Sequence, residues 1–291
     1  MTRTYKATGI NLKSAPIGES DRLLTVLTRE FGLIKAVAPG VRKQRSSIGG
    51  RSELFVVNEL LIAKGRSLDK ITQASTVESY PGLSRNLGKL CAAQYLAELA
   101  IASALSDEPQ EELFLLLGEH LSRLEGLSDR TEIQSAAVLM AHLDQGIFHL
   151  LALAGLAPQV QVCCATRHPL NPNFSDPKWQ TGFSIPSGGT FSLPELANLE
   201  AELSSQTGSL YRSASRSPQT SNSKHLTNFH INAKELAALQ QLGSAELEEG
   251  ITDRTAWVSV ENILRQYAQY HLGCMIRSGS SIDTYLESFE F

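Results

Sequence analysis

Five cations, Lys35, Arg42, Lys43, Arg45 and Arg51, lie between Phe31 and Ser52 without one Asp or Glu among them. The chain as a whole carries a net charge of −4, so this stretch stands apart from its surroundings. Four of the five fall in the run from Pro39 to Arg51, where Pro and Gly mark a loop and Ser adds small hydrogen-bonding groups. A cationic loop of this composition suits the phosphates of a nucleic acid; read more plainly, it is a solvated charged turn. If all five cations met single-stranded phosphates, affinity would fall roughly a hundredfold between about 50 and 200 mM salt.

Other residues invite chemistry and support it less. Cys163 and Cys164 with nearby His168 suggest zinc, but a structural site needs four ligands, usually in Cys-x-x-Cys pairs, and no second pair follows. Cys91 and Cys274 lie in helical patterns, where a buried free thiol is the default. His142 and His149 share a helix face without a companion carboxylate set, so they read as helix histidines. Neither GxxxxGK[ST], nor GxGxxG after a strand, nor GxSxG occurs, which points away from an enzyme; no catalytic residue, cofactor or metal is expected. Tyr5, Phe31, Phe55 and Tyr80 are the few aromatic groups of the N-terminal part, and a small barrel needs them as filling, so base-specific readout is not expected.

The charge split sharpens the first reading. Residues 1–80 hold 13 Lys and Arg against 7 Asp and Glu, a net +6, and the remainder holds 13 against 23, a net −10. Such a division assigns polyanion contact to one end and protein contact or solubility to the other. At 291 residues the chain has room for about two domains. No apolar run is read as reaching the roughly 18 residues of a membrane span, the start lacks a signal-peptide core, and the cysteines show no disulfide spacing. A cytoplasmic, nucleoid-associated location is expected.

The elements that must carry the loop follow from periodicity. Residues 1–80 alternate as short strands over Tyr5–Leu12, Leu23–Thr28, Leu33–Ala38, Leu54–Ala63 and Ile71–Val77. Five strands in about 80 residues match an OB-fold in size, and an SH3-like barrel stays open. After Pro81-Gly82 the period becomes helical: residues 81–158 read as the first part of a helical domain, and 159–195 as a loop-rich insertion. Residues 196–230 are Ser/Thr-rich and are expected to form a disordered linker. Helices resume over 231–280, opened by the capping-box pair Asn232 and Glu235 and closed by a helix over Thr255–Arg277; 281–291 reads as a tail.

The order of several short segments resembles the RecO family of bacterial recombination mediators. They are Gly18-Glu19-Ser20-Asp21-Arg22-Leu23-Leu24, Thr28-Arg29-Glu30-Phe31-Gly32, Ala38-Pro39-Gly40-Val41-Arg42-Lys43, Gly49-Gly50-Arg51, Tyr80-Pro81-Gly82-Leu83, His271-Leu272-Gly273 and Arg277-Ser278. The resemblance implies an α+β protein: an N-terminal five-stranded OB-fold barrel, then a helical domain bearing a zinc-finger-like insertion. It also implies binding to single- and double-stranded DNA, annealing of complementary strands, and DNA repair by homologous recombination. The implied partners are RecR, the acidic C-terminal tail of single-strand-binding protein, RecF and the recombinase RecA. Lys35, Arg42, Lys43, Arg45 and Arg51 are the expected DNA contacts; Arg265 and Arg277 are the candidate partner contacts, on a helical part expected to offer an apolar groove rimmed by Arg or Lys.

The insertion departs from the family's two Cys-x-x-Cys pairs. Cys163 keeps the first position, Thr166 takes the second, and Ser192 and Glu195 fall at the other pair. One thiolate and one carboxylate do not close a zinc site, so the insertion is expected to be metal-free and degenerate. The rival reading is a protein-interaction scaffold whose nucleic-acid affinity is incidental.

Overall fold

The computed structural model describes residues 4–43, 46, 48–128, 133–210, 228–248 and 253–288. Alternating apolar residues produce five strands: β1 (Thr4–Ile17), β2 (Asp21–Thr28), β3 (Gly32–Ala38), β4 (Val56–Ala63) and β5 (Asp69–Ser79). They close in the order β1-β2-β3-β5-β4, with β4 returning to β1. A short parallel pairing, Ala36 with Asp69 and Val37 with Lys70, completes the ring. This strand order and closure are those of an OB-fold. β1 runs five residues past its expected end because a register shift between Asn11 and Lys13 bends it. The bend lets one strand pair β4 along its first half and β2 along its second.

The two faces of the strands part company in the way period two demands. Ala7, Leu24, Val26, Ala36, Leu60, Ile62 and Ile71 fill the barrel. Ile10, Leu12, Leu27 and Val57 belong instead to the core of the helices, so barrel and helices share a continuous apolar seam.

The helices are α1 (Leu87–Ser103), α2 (Glu111–Gly126), α3 (Ile133–Leu153), α4 (Leu193–Leu210), α5 (Ala233–Gln241), α6 (Arg254–Leu272) and α7 (Gly279–Glu287). Asn86 caps α1 by accepting from the Lys89 backbone N–H, and α1 is buried along most of its length between β1, α2, α3 and α7. The capping box read at Asn232 and Glu235 is present at the start of α5. A three-stranded antiparallel sheet, β6 (Gln180–Ser184), β7 (Gly189–Phe191) and β8 (Asn228–Asn232), has the order β7-β6-β8.

Several expectations are corrected. The segment read as a linker from residue 196 is helical to Leu210, because Leu196 is buried and Leu199 packs beside it; residues 211–227 lie outside the described residues. The insertion read as loops contributes β6 and β7. The last long helix ends at Leu272, where Gly273 takes a left-handed φ of 66°. The tail read over 281–291 is helical to Glu287, since Ile282 and Leu286, four apart, are buried. One window does reach membrane length: Ala136–Leu153 of α3, most of which is buried as the central core helix.

Candidate nucleic-acid interface

The basic loop is built on the mouth of the barrel. Val41 and Ile48 turn inward and join the barrel core, which leaves Arg42 and Lys43 exposed. The root of the loop is fixed at β2: the Asp21 carboxylate accepts from the Gly40 N–H and the Ser20 hydroxyl, both at 2.8 Å, and the Arg42 N–H donates to the Ser20 carbonyl at 3.0 Å. The Gly40 bond, then that of Ser20, holds the Asp21 carboxyl below its ordinary range, and the charges of Lys70 and Lys43 act the same way. Lys43 and Lys70 therefore flank one carboxylate at the base of the loop.

Arg51 sits on a one-turn 3-10 helix, Gly50–Ser52, and is exposed. Its carbonyl is gripped from inside the barrel: the side-chain amides of Asn11 and Asn58, both fully buried, donate to it at 2.8 and 2.9 Å. Asn11 also donates to the Glu53 carbonyl at 2.9 Å, and Glu53 pairs with Arg22 at 3.1 Å. Ser52 closes the loop through a 2.8 Å bond to the Ile48 carbonyl.

Lys35 is exposed in mid-β3. Cross-strand register puts it opposite Thr25, and Thr25 opposite Lys13, so Lys13, Thr25 and Lys35 form one row on the outer face of the β1-β2-β3 sheet. The parallel pair Val37 and Lys70 continues the same face onto β5. Sequence reasoning missed Lys13 and Lys70; strand alternation opposite Lys35 would have found the first, and only barrel closure reveals the second. Arg45 lies outside the described residues. The arrangement offers Lys13, Lys35, Arg42, Lys43, Arg51 and Lys70 to a polyanion, from a rigid sheet and a loop pinned at both ends.

The two candidate partner contacts differ from each other. Arg265 is 17% exposed and bridges α6 to α7: it donates to Glu261 at 2.9 and 2.5 Å and to Asp283 at 2.7 and 2.6 Å. Asp283 and then Glu261 raise its pKa further, and a guanidinium so engaged is an internal clamp. Arg277 is exposed beside Glu98, whose carboxylate takes the Ser278 N–H at 2.8 Å and hydroxyl at 2.6 Å.

The insertion does not fit zinc. Cys163 is buried, and the Ser192 N–H donates to its sulfur at 3.4 Å. Burial pushes the thiol up, but the Thr166 hydroxyl and the N–H groups of Thr166, Ser192 and Ala165 outweigh it and bring the pKa down to about 7. These donors favour a thiolate at Cys163, but the other three positions hold Thr166, Ser192 and Glu195, so one thiolate and one carboxylate fall short of the four ligands of a closed zinc site. Among the described residues no three His, Cys, Asp or Glu side chains are grouped to hold a metal. His149 serves packing: its Nδ1 lies 3.1 Å from His120 Nε2, joining α3 to α2.

Comparison with known proteins agrees with this architecture. The family model described as Recombination protein O N terminal matches residues 1–80, and Recombination protein O C terminal matches residues 84–222. The chain is 55% identical to the DNA repair protein RecO of Nostoc sp. (strain PCC 7120 / SAG 25.82 / UTEX 2576), over 98% of this chain and 97% of that relative. It is 53% identical to that of Trichodesmium erythraeum, over 99% and 96%, and 36% identical to that of Gloeobacter violaceus, over 98% and 95%. With a five-stranded barrel under the first match and helices under the second, the chain belongs to the RecO family of DNA repair proteins.

Proposed function

We propose that this protein is a DNA-binding recombination mediator that works without bond-making chemistry. It holds single- and double-stranded DNA by the phosphate backbone on the cationic side of its barrel and anneals complementary strands. It then helps load recombinase onto DNA coated by single-strand-binding protein, in gap repair and double-strand break repair. The observation that carries the reading is that strand register sets Lys13, Lys35 and Lys70 on one outer face of the barrel, with Lys43 near Lys70 at Asp21, while a pinned loop keeps Arg42 and Arg51 exposed.

The physics of annealing asks for little more. Two strands repel until their phosphates are neutralised, and backbone contacts leave base edges free to pair. Family membership supports RecR, the tail of single-strand-binding protein, RecF and RecA as the partners, with exposed Arg277 a candidate contact. The test is replacement of Arg42, Lys43, Arg45 and Arg51 by Ala. Loss of annealing with RecR binding retained is expected; unchanged annealing overturns the reading and favours the scaffold.

A further inference from the structure

Near the junction of barrel and helices lies an open groove of roughly 860 Å³ whose floor is apolar and whose charged lining residues are all acidic. Its floor is exposed leucine: Leu105, in the connection between α1 and α2, and Leu115 of α2 are each 54% exposed, and Leu153 of α3 is 39% exposed. Single exposed leucines need no explanation, but several in one concave site mark a contact surface. One wall is rigid. Leu33 N–H donates to the Leu105 carbonyl at 2.9 Å, Asp107 N–H to Phe31 at 3.1 Å, and Gln110 N–H to Arg29 at 3.0 Å, so the segment before α2 is stitched to the β2–β3 turn. Gly32 permits the approach: with φ at 61°, a Cβ there would stand 2.1 Å from the Leu105 carbonyl oxygen.

The electrostatics of the groove are mainly negative, from two sources; the N-terminus of α2 at Gln110 opposes them and is answered by Glu111 and Glu112 of its own first turn. Glu111 and Glu112 line the groove, and Glu108 directly precedes the lining residue Pro109; Glu111 is paired with Arg29, and all three carboxylates are exposed. Independently, α1, α3 and α6 end at it, with Ser103, Leu153 and Leu272 in its lining. A helix C-terminus carries partial negative charge and is ordinarily complemented by a Lys, Arg or His of its own last turn. α1 and α3 have none there. α6 has His271, whose Nε2 is 2.9 Å from the Ile185 carbonyl. Three negative helix ends and two carboxylates, of which Glu112 has no ion-pair partner among the described residues, thus line a leucine floor with Glu108 beside them, and no Lys or Arg is among the lining residues.

We infer that this groove docks a cationic amphipathic segment of a partner protein, with Leu- or Phe-type anchors on the leucine floor and Lys or Arg against the rim and helix ends. An acidic tail, the peptide expected for the helical part from sequence, would be repelled here. A helix laid into a groove is a common way for such a segment to bind, and it would supply the cations that α1 and α3 lack.

The experiment uses the full chain and a fluorescent Leu/Lys peptide of about 18 residues, five helical turns with leucine on one face, beside a Leu/Glu counterpart. Anisotropy should show saturable, salt-sensitive binding of the Leu/Lys peptide and none of its counterpart. Glu108→Lys with Glu112→Lys should weaken binding about tenfold, as should Leu115→Ser with Leu153→Ser. Glu19→Lys with Glu59→Lys, the same charge change on the barrel, should leave it intact. Equal weakening by the barrel pair, or binding untouched by both groove pairs, would overturn the assignment, provided each variant keeps the parent's circular dichroism and melting curve.

Discussion

The buried side chain of Asn11 holds the backbone carbonyl of Arg51 at 2.8 Å, so a residue inside the barrel fixes the place of a cation outside it. A buried amide with this bond removed leaves the carbonyl short of a donor, and such losses run to about 1–3 kcal/mol. Asn11→Ala should therefore lower the urea-unfolding free energy by about that amount and also weaken DNA binding, because the Gly50–Ser52 turn loosens. Chemical denaturation and strand annealing, measured on the same preparation, check both halves. An Asn11→Ala protein of parental stability would show that the grip on Arg51 carries no weight.

Lys13, Lys35 and Lys70 test the outer sheet face against the loop. They are exposed and, among the described residues, no side-chain hydrogen bond or ion pair ties them to the core, so each change to Ala should leave stability within about 0.5 kcal/mol. DNA affinity should fall, and the slope of log affinity against log salt should become shallower by about 0.7 for each cation that meets a single-stranded phosphate. A slope that stays constant through the triple variant would move the DNA off this face.

The sequence made one side of this interface easy to read and hid the other for physical reasons. Cations in a Gly- and Ser-rich run without acids are visible as composition, and the strands around them as a period of two. Lys70 is brought to the site by the β3–β5 pairing, a long-range closure that local pattern does not encode. Asn11 and Asn58 look like interruptions of apolar strands until their partner, the Arg51 carbonyl, is in view. In Arg265 the signal was present, since Glu261 stands four residues before it on one helix, the spacing of an internal ion pair. The helix from Leu193 was masked by the serines around it: Leu196 and Leu199 carry its packing, and composition averages them away.

His120 gives the fold a pH dependence on its acidic side. Burial, then the neighbouring charges of His149, Arg123 and His142, depress its pKa to about 3. Between that value and the ordinary 6.5 the unfolded chain binds more protons than the folded one, so this contribution is complete above 6.5 and shrinks as pH falls through the window. The urea midpoint should drop steadily from pH 7 to pH 4. His120→Gln should flatten that slope; a slope unchanged in the variant would assign the acid sensitivity to other groups.

Asp144 acts in the opposite direction. Its carboxyl is fully buried between α1, α3 and α6; burial, then the charge of Glu261, pushes its pKa well above the carboxylate range, against the opposing pull of Arg265. Held protonated in the fold and ionised in the unfolded chain, it reduces stability as pH rises above the ordinary carboxylate value. Asp144→Asn removes that titration while keeping shape, so the variant should be more stable than the parent at pH 8 and closer to it at pH 5. Denaturation at the two pH values decides this, and a parent that is the more stable protein at pH 8 would refute a neutral Asp144.

Cys163 supplies the last prediction, since its sulfur is the one thiolate among the four positions at which the family's two cysteine pairs would stand. The Ser192 N–H reaches it from the strand side and Thr166 from its own turn, so the two halves of the insertion meet at one atom. Elemental analysis of the purified protein should find zinc far below stoichiometric, and a chelator should leave the melting curve in place. Cys163→Ala should cost about 1–3 kcal/mol, because the donors aimed at the sulfur lose their acceptor inside the fold. Thr166→Cys, Ser192→Cys and Glu195→Cys together should convert the insertion to one that takes up zinc and melts higher with it than without. Stoichiometric zinc in the unaltered protein would reverse the assignment, and a triple-cysteine variant that ignores zinc would show that the four positions do not face a common centre.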